Sequence, residues 1–481
     1  MRSRLCAFDH PIYPGMVRLI IEAGTRAVLS VGIAWIATMV FGSLRIYGEN
    51  AFQTVLVFGF YIYCVITLAV PSEHRLFYVL SIPVLSQFLH LFQKYDFPAG
   101  ANSLWRLLPF LLADLHMISV LIRFKTGLTG VEKSIVASWI VLHFLFIIIS
   151  PNLAGIIIGA FTLILFTIPL YFLYLSILSK HPSFPADLER SLCLIFIILA
   201  LGTFGLVFFG AQYKGASNLL VTRNISDTNV TMVYFILLWP FAMRYANHTG
   251  HSLLFTPLLA LIFTLVVVLS FSRGAVLIVL PYLLASLLIV SNWKNKLWFA
   301  AIGVLLTAGF GDLFQLVNAE LAYSWQLRFA DFQAAGPVLQ RIQEVSGRAE
   351  IRRLAYQLFL ERPLYGHGIG SFELLGPGYR EAHSMFFTVL AEQGLIGMLY
   401  LYGLFVVLGY YLFKTMVLES EYRLLPAALG AYLLFVHSVG FVFVIIPAKS
   451  LTINCIAPVL LICIYYYSKS IVEKYATPGH G

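Results

Sequence analysis

The stretch LLFTPLLALIFTLVVVLSFSRGAVLIVLPYLLASLLIVS covers residues 253–291 and decides the fold class. Its 39 residues include a single charged side chain, that of Arg273. One membrane helix needs about 20 apolar residues, so this run is about twice the length of a single span. A charge at the centre of a bilayer costs about 2.5–3.5 kcal/mol on insertion scales. We therefore predict two membrane helices with Arg273 at the turn between them, where Ser272 and Gly274 suit a tight connection.

The composition of the whole chain agrees with this local pattern. Of 481 residues, 60% are hydrophobic and 11% are charged, whereas soluble domains carry about 25% charged residues. This excludes a disordered chain, a disulfide scaffold and an ordinary cytosolic enzyme. The sequence predicts an all-α polytopic membrane protein, a bundle of about 12–14 transmembrane helices with one larger loop segment. The candidate spans lie near residues 25–44, 51–70, 76–94, 107–122, 135–150, 153–178, 192–213, 230–246, 253–271, 274–291, 297–314, 384–413, 424–444 and 451–468.

The distribution of Lys and Arg predicts the orientation of this bundle. With the N-terminus inside, 17 of the 31 basic residues fall on the inner side. Of the other 14, seven lie in the long segment 315–383, which exceeds the loop length to which the positive-inside rule applies. Without that segment, the inner side carries 17 basic residues and the outer side carries 7. We therefore expect both termini in the cytoplasm and the long segment outside. The predicted parts are N-terminal membrane helices (1–214), central membrane helices (215–314), the outer loop with short helices (315–383) and C-terminal membrane helices (384–481).

Arginines recur on the predicted outer face. Arg223 lies in a polar loop and Arg273 at the turn described above. Each could bind an anion, because the guanidinium fork suits phosphate. The alternatives are a solvated loop for Arg223 and an interfacial side chain that reaches water for Arg273.

The stretch SGRAEIRRLAYQLFLERP, residues 346–363, predicts an amphipathic helix that ends before Pro363. Arg348 and Arg352 stand one turn apart on its polar side, where like charges repel unless an anion lies near. The alternative is a charge-laced surface helix, since seven Arg in 315–383 are balanced by seven acidic residues. The apolar stripe consists of Ile351, Leu354, Ala355 and Leu358.

The next stretch, LYGHGIGSFELLGPGYREAHSMFFTVLAEQGLIG, covers residues 364–397. Glycines such as Gly368 and Gly370 permit close approach of the backbone to a ligand. His383 falls at the outer mouth of the following membrane helix, where a neutral imidazole can accept a proton from a hydroxyl group. The alternative is a polar cap at the membrane interface.

The predicted topology brings Arg223, Arg273, Arg348 and His383 to the same face. Arginines beside a histidine suit a transfer in which a phosphate is the leaving group. The sequence has no P-loop, no zinc-ligand spacing and no Asp-x-Asp pair, and its five cysteines show no paired spacing. We therefore expect no metal ligands and no cofactor.

These residues resemble the O-antigen ligase and O-antigen polymerase superfamily of lipid-linked glycan transferases. His383, Ser384, Gly394 and Gly397 fit the ligase pattern of His, then Asn, Ser or Gln, nine residues, Gly, two residues and Gly, Thr or Tyr. SRGA at 272–275 resembles the first arginine motif of the family. SGR at 346–348, followed by PLYGHGIGSF, resembles the second arginine and the glycine-rich stretch.

The resemblance implies a glycosyltransferase C-like bundle in the bacterial inner membrane, with the outer loop and the active site in the periplasm. It implies catalytic roles for His383, Arg273 and Arg348, and substrate contacts for Arg223, Arg352, Ser384, Gly368 and Gly370. The donor would be a glycan linked to undecaprenyl diphosphate. The acceptor would be lipid A–core in a ligase, or another lipid-linked glycan in a polymerase of O-antigen or exopolysaccharide. Membrane lipids are expected partners, and nucleic acid is not.

Two other classes of function stay open from the residues alone. A small-anion transporter would place charged residues along a path at mid-membrane, often in repeated halves. A non-catalytic membrane scaffold would tolerate replacement of the arginines and of the histidine.

Overall fold

The residues that the computed structural model describes are almost entirely helical. It describes residues 75–85, 104–124, 126–209, 213–214, 221–222, 228–248, 252–270, 272–290, 296–297, 323, 348–376, 382–418, 420–440 and 456–476. The predicted spans 25–44 and 51–70, nearly all of 297–314, and the predicted site residue Arg223 lie outside the described residues.

The helices follow the predicted spans closely. They are α1 (Arg75–Leu85), α2 (Leu104–Arg123), α3 (Gly130–Ile148), α4 (Leu153–Gly159), α5 (Ile168–Leu178), α6 (Phe184–Phe209), α7 (Thr228–His248), α8 (Ser252–Leu269), α9 (Leu280–Val290), α10 (Arg348–Glu361), α11 (Phe372–Leu375), α12 (Met385–Leu418), α13 (Leu424–Phe435) and α14 (Ile456–Ala476). The π-helical segments are Ala160–Thr167, Ala275–Val279 and Val436–Gly440, and Ser420–Arg423 is a 3-10 turn. The strands β1 (Tyr213–Lys214) and β2 (Val221–Thr222) pair antiparallel.

Several helices have the length and composition of membrane spans. Among the described residues, α3, the continuous helix Leu153–Leu178 and α12 are long and apolar enough to cross a membrane. The apolar helices Phe255–Leu269, Ala275–Ile289 and Leu424–Ser438 are shorter. On α3, Val141 and Leu145 are exposed, as suits contact with lipid. The predicted class, an all-α membrane protein, is confirmed, whereas the total of 12–14 spans stays a prediction.

Two predicted turns are confirmed as helix boundaries. Helix α3 ends at Ile148 and α4 begins at Leu153, on either side of Pro151. Helix α8 ends at Leu269, and helical backbone resumes at Arg273. Pro151 has no backbone N–H to continue the helical hydrogen bonds, which accounts for the first boundary. The charge of Arg273 is costly within hydrocarbon, which accounts for the second.

The buried centre of the bundle contains an aromatic cluster shared by α6, α7 and α8. The ring of Phe196 lies 5.1 Å from that of Phe235 and 5.8 Å from that of Phe263. Trp239 packs against Phe263 and donates a hydrogen bond of 2.7 Å to the Ser286 hydroxyl on α9. Such packing and interhelical hydrogen bonds hold membrane helices together, because lipid provides no hydrophobic drive between them.

Buried ion pairs join the helices at one end of the bundle. The Lys469 ammonium lies 2.7 Å from a Glu132 carboxylate oxygen and so ties the end of α14 to the first turn of α3. The Arg244 guanidinium lies 2.9 Å from Glu189 and links α7 to α6. Arg244 also covers the Tyr422 ring at 4.0 Å. The candidate site lies at the other end.

Candidate functional site

Helix α10 brings the first cationic residues of the site to the bundle. Its buried residues are Ile351, Ala355 and Leu358, which recur every three or four positions and therefore occupy one face. They form a small apolar cluster with Phe372, Ala382 and Ala391. The amphipathic helix predicted from the sequence is thus confirmed, and its polar side carries Arg348 and Arg352.

Both arginines donate hydrogen bonds to backbone carbonyls of the segment that follows α13. Arg348 Nη1 donates to the Ser438 carbonyl at 3.3 Å, and Arg352 Nη2 donates to the same oxygen at 3.1 Å and to the His437 carbonyl at 3.5 Å. These carbonyls belong to the π-helical segment Val436–Gly440 that follows α13. A backbone carbonyl oxygen carries partial negative charge and therefore suits a guanidinium donor. Burial lowers the pKa of Arg352, but a guanidinium remains protonated.

The imidazole of His437 ties this segment to neighbouring backbone and to α12. Its Nδ1 lies 2.6 Å from the Leu433 carbonyl oxygen, so Nδ1 carries the proton and donates. Nε2 is then the acceptor for the Tyr402 hydroxyl on α12. The receiving carbonyls are therefore fixed relative to α12.

His383 stands directly before α12 in an unusual backbone conformation. Its φ is +49°, the left-handed region that few residues other than glycine adopt. Arg352 Nη2 lies 3.4 Å from the His383 carbonyl oxygen, so the same guanidinium contacts His383 and the π-helical segment. The His383 side chain is half-buried, whereas Ser384 is buried. We call the end of the bundle that holds Arg348, Arg352, His383 and the segment Val436–Gly440 the site end.

The Arg273 turn lies at the site end as well. The π-helical segment Ala275–Val279 packs against α13, and α9, which follows it, packs against both α13 and the 3-10 turn Ser420–Arg423 that precedes α13. Helix α9 therefore runs antiparallel to α13. Arg273, just before Ala275, comes to the level at which α13 ends. The hydroxyl of Ser272 caps the start of this helix by accepting from the Ala275 N–H at 3.2 Å.

Residues 366–372 of the glycine-rich stretch are buried and bond to the end of α3 and to α12. Ile369 N–H donates to the Phe146 carbonyl of α3 at 2.9 Å, and the Ser150 hydroxyl donates back to the Ile369 carbonyl at 2.7 Å. At Gly368, φ is +93°, and a Cβ would come within 2.6 Å of the Ser150 backbone, so only glycine fits.

A buried carboxylate of α12 accepts hydrogen bonds from the other side of this stretch. Glu392 of α12 accepts the Gly370 N–H at 3.0 Å and the Phe372 N–H at 3.1 Å. The Gly368 N–H donates to the Glu392 carbonyl at 2.7 Å. These N–H groups of Gly368 and Gly370 are thus already bonded within the protein. The predicted contact of the two glycines with substrate is untested, and the geometry favours a structural role for them.

The predicted span 384–413 is not one regular helix. Gly394 has φ +62° and ψ −159°, values essentially restricted to glycine, and it divides α12. The stretch that follows α10 supplies the missing hydrogen bonds: the Leu395 N–H donates to the Pro363 carbonyl at 2.8 Å, and the His367 N–H to the Ala391 carbonyl at 3.0 Å. A broken membrane helix needs such partners, because its freed backbone groups cannot bond to lipid.

Sequence reasoning singled out neither Glu392 nor His437 as part of this architecture. Glu392 is the only charged residue in the predicted span 384–413. A lone charge within an apolar run, the feature that marks Arg273, therefore marks Glu392 as well. No comparable signal exists for His437, whose role depends on which carbonyls Arg348 and Arg352 reach.

The site end can bind an anion and accept a proton. Arg273, Arg348 and Arg352 supply positive charge, and His383 supplies an imidazole. Within the part of the chain that the structure describes, no group of three or more His, Cys, Asp or Glu side chains is arranged to hold a metal ion.

Fold and site together define an α-helical membrane protein with a cationic, imidazole-bearing site at one end of its bundle. Residues 258–402 match the family model described as O-antigen ligase. The match confirms the predicted resemblance of this part of the chain to the O-antigen ligase and polymerase superfamily. It implies a glycosyltransferase-like enzyme that acts on lipid-linked glycans. The matched segment includes every predicted site residue except Arg223. No curated protein shows a significant match to the chain.

Proposed function

We propose that the protein transfers a glycan from undecaprenyl diphosphate to an acceptor at the periplasmic face of the bacterial inner membrane. The observation that carries this proposal is the grouping of Arg348, Arg352 and His383 around the segment Val436–Gly440, with the Arg273 turn at the same end of the bundle. The O-antigen ligase match over residues 258–402 supports the class of substrate. The excess of Lys and Arg in the opposite loops supports cytoplasmic termini.

In the proposed reaction the acceptor hydroxyl attacks the anomeric carbon of the donor glycan. A new C–O bond forms as the bond between that carbon and the diphosphate oxygen breaks, and the diphosphate leaves with the bonding electron pair. His383 takes the hydroxyl proton as general base. Direct displacement inverts the anomeric carbon.

Arg273 and Arg348 bind the departing diphosphate in this proposal. Preorganised cations near developing negative charge lower the barrier in a site that excludes water. Arg348 is suited to the role because its side chain is partly exposed and its guanidinium lies at the site end, 3.3 Å from the Ser438 carbonyl oxygen. The guanidinium groups supply the charge, so we propose that transfer needs no metal ion.

Single replacements test the proposed roles. We expect H383A, R273A and R348A each to lower transfer by at least about 100-fold, the usual scale for a lost acid–base or charge-stabilising group. R353A is the matched control, because Arg353 neighbours Arg352 on α10 but is exposed to solvent. Transfer is measured with purified protein, a lipid-diphosphate glycan and lipid A–core. Wild-type rates in H383A and in R273A would reject the proposed mechanism.

The acceptor is tested in the same assay. We propose lipid A–core as the acceptor; extension of a second lipid-linked glycan instead would identify a polymerase. Chelator should leave the rate unchanged, and a loss that is restored by added Mg²⁺ would contradict metal-independent transfer. Uptake of an anion into proteoliposomes without any lipid-linked glycan would favour a transporter.

A further inference from the structure

We propose that Thr388 is a positioning residue that holds His383 in its functional conformation through the backbone on both sides of it. This inference rests on the proposed role of His383 as general base. It adds a residue that the sequence pattern did not single out.

The conformation of His383 needs support from its surroundings. Among the described residues it is the only residue other than glycine with positive φ. The left-handed region is sterically unfavourable for such a residue, and it persists where neighbouring contacts impose it. Contacts around residues 382–384 must therefore hold His383 in this conformation.

The Thr388 hydroxyl bonds to the residues on either side of His383. Its Oγ1 accepts the Ala382 N–H at 3.2 Å and donates to the Ser384 carbonyl at 2.9 Å. The Thr388 N–H reaches the same Ser384 carbonyl at 3.0 Å. Both Thr388 and Ala382 are buried, so water does not replace these bonds. Arg352 adds a contact to the His383 carbonyl itself.

A second threonine on the same helix shows what is special about Thr388. The hydroxyl of Thr415 donates to the Tyr411 carbonyl four residues earlier at 2.8 Å, the ordinary bond of a threonine within a helix. Thr388 makes the equivalent bond to Ser384. In addition it accepts from Ala382, which lies before the helix begins and on the far side of His383. That extra bond joins the backbone before His383 to the first turn of the helix that follows it.

Loss of the hydroxyl should displace the imidazole without removing it. T388V keeps the branched shape but leaves the Ala382 N–H without this acceptor, so residues 382–384 can relax toward negative φ. Misplacement of a catalytic group by about 1 Å can cost about 100-fold in rate. We expect kcat to fall by about 10- to 100-fold while KM for the donor stays within about twofold, because the arginines that bind the diphosphate are unchanged.

The experiment compares steady-state transfer by wild-type protein, T388V, T388S and T415V. T388S keeps the hydroxyl and should restore most of kcat, and T415V should behave as wild type. Wild-type kcat in T388V, or an equal loss in T388S and T388V, would overturn the inference.

If T388V does not fold, a comparison of T388C with T388S tests the role of the hydroxyl. The two side chains have similar size, but a thiol is a poor hydrogen-bonding group. T388S should then be much faster than T388C, and equal kcat values would overturn the inference. H383A separates this inference from the proposed function. If H383A transfers at the wild-type rate, the general-base proposal itself fails; if H383A is inactive and T388V is normal, only the role of Thr388 fails.

Discussion

Replacement of Glu392 by glutamine should destabilise the protein measurably, because this carboxylate joins the glycine-rich stretch to the broken helix α12. In the native protein its two oxygens accept the N–H groups of Gly370 and Phe372 at 3.0 and 3.1 Å. Glutamine offers one oxygen and one NH₂ group, so one of the two N–H groups would face another donor. A hydrogen bond to a charged group contributes about 1.5–3 kcal/mol, and a buried unsatisfied N–H costs about 1–3 kcal/mol. Removal of a buried charge offsets part of this loss.

We expect a net loss of about 2 kcal/mol for E392Q. The free energy of unfolding is measured by SDS titration in mixed micelles, with helical content followed by circular dichroism. E361Q is the matched control: the Glu361 side chain is 63% exposed, and its substitution should change stability by less than about 0.5 kcal/mol. Equal unfolding curves for E392Q and E361Q would refute the assigned role of the carboxylate.

Two further predictions concern the backbone break and a buried ion pair. G394A should yield little folded protein, because a Cβ would lie 2.5 Å from the Leu364 carbonyl carbon and φ is +62°; G403A on the same helix, with open space around its Cα, should have an unchanged or slightly higher melting temperature. K469M should lower the free energy of unfolding, measured by SDS titration, by about 3–5 kcal/mol, because the buried Glu132 carboxylate loses its cationic partner. Addition of E132Q should recover part of that loss, and a double variant as unstable as K469M would contradict the pairing.

Much of the fold follows from local physical rules that act on the sequence. The thickness of the hydrocarbon layer sets the length of an apolar run that spans it. The cost of placing a charge in that layer was enough to predict the turn at Arg273. The regular spacing of Ile351, Ala355 and Leu358 was enough to predict helix α10 and its buried face. The motif around His383 and the glycines was enough to predict the superfamily, since it depends on residue types and spacing.

The break at Gly394 and the grouping of site residues could not be predicted in this way. Neither periodicity nor hydropathy distinguishes Gly394, which breaks α12, from Gly403, which lies in regular helix. The difference arises because residues 363–368 approach Gly394 closely and bond to the backbone freed there.

The sequence by itself determined the membrane class, the position of the turns and the residue types available for chemistry, because hydrophobic length and charge burial act within short stretches of chain. Only the tertiary structure decided which carbonyls Arg348 and Arg352 reach, which N–H groups Glu392 accepts and how His383 is held. Those bonds join groups as far apart in the chain as Arg348 and Ser438. Their geometry follows from how the helices pack, which no local pattern encodes.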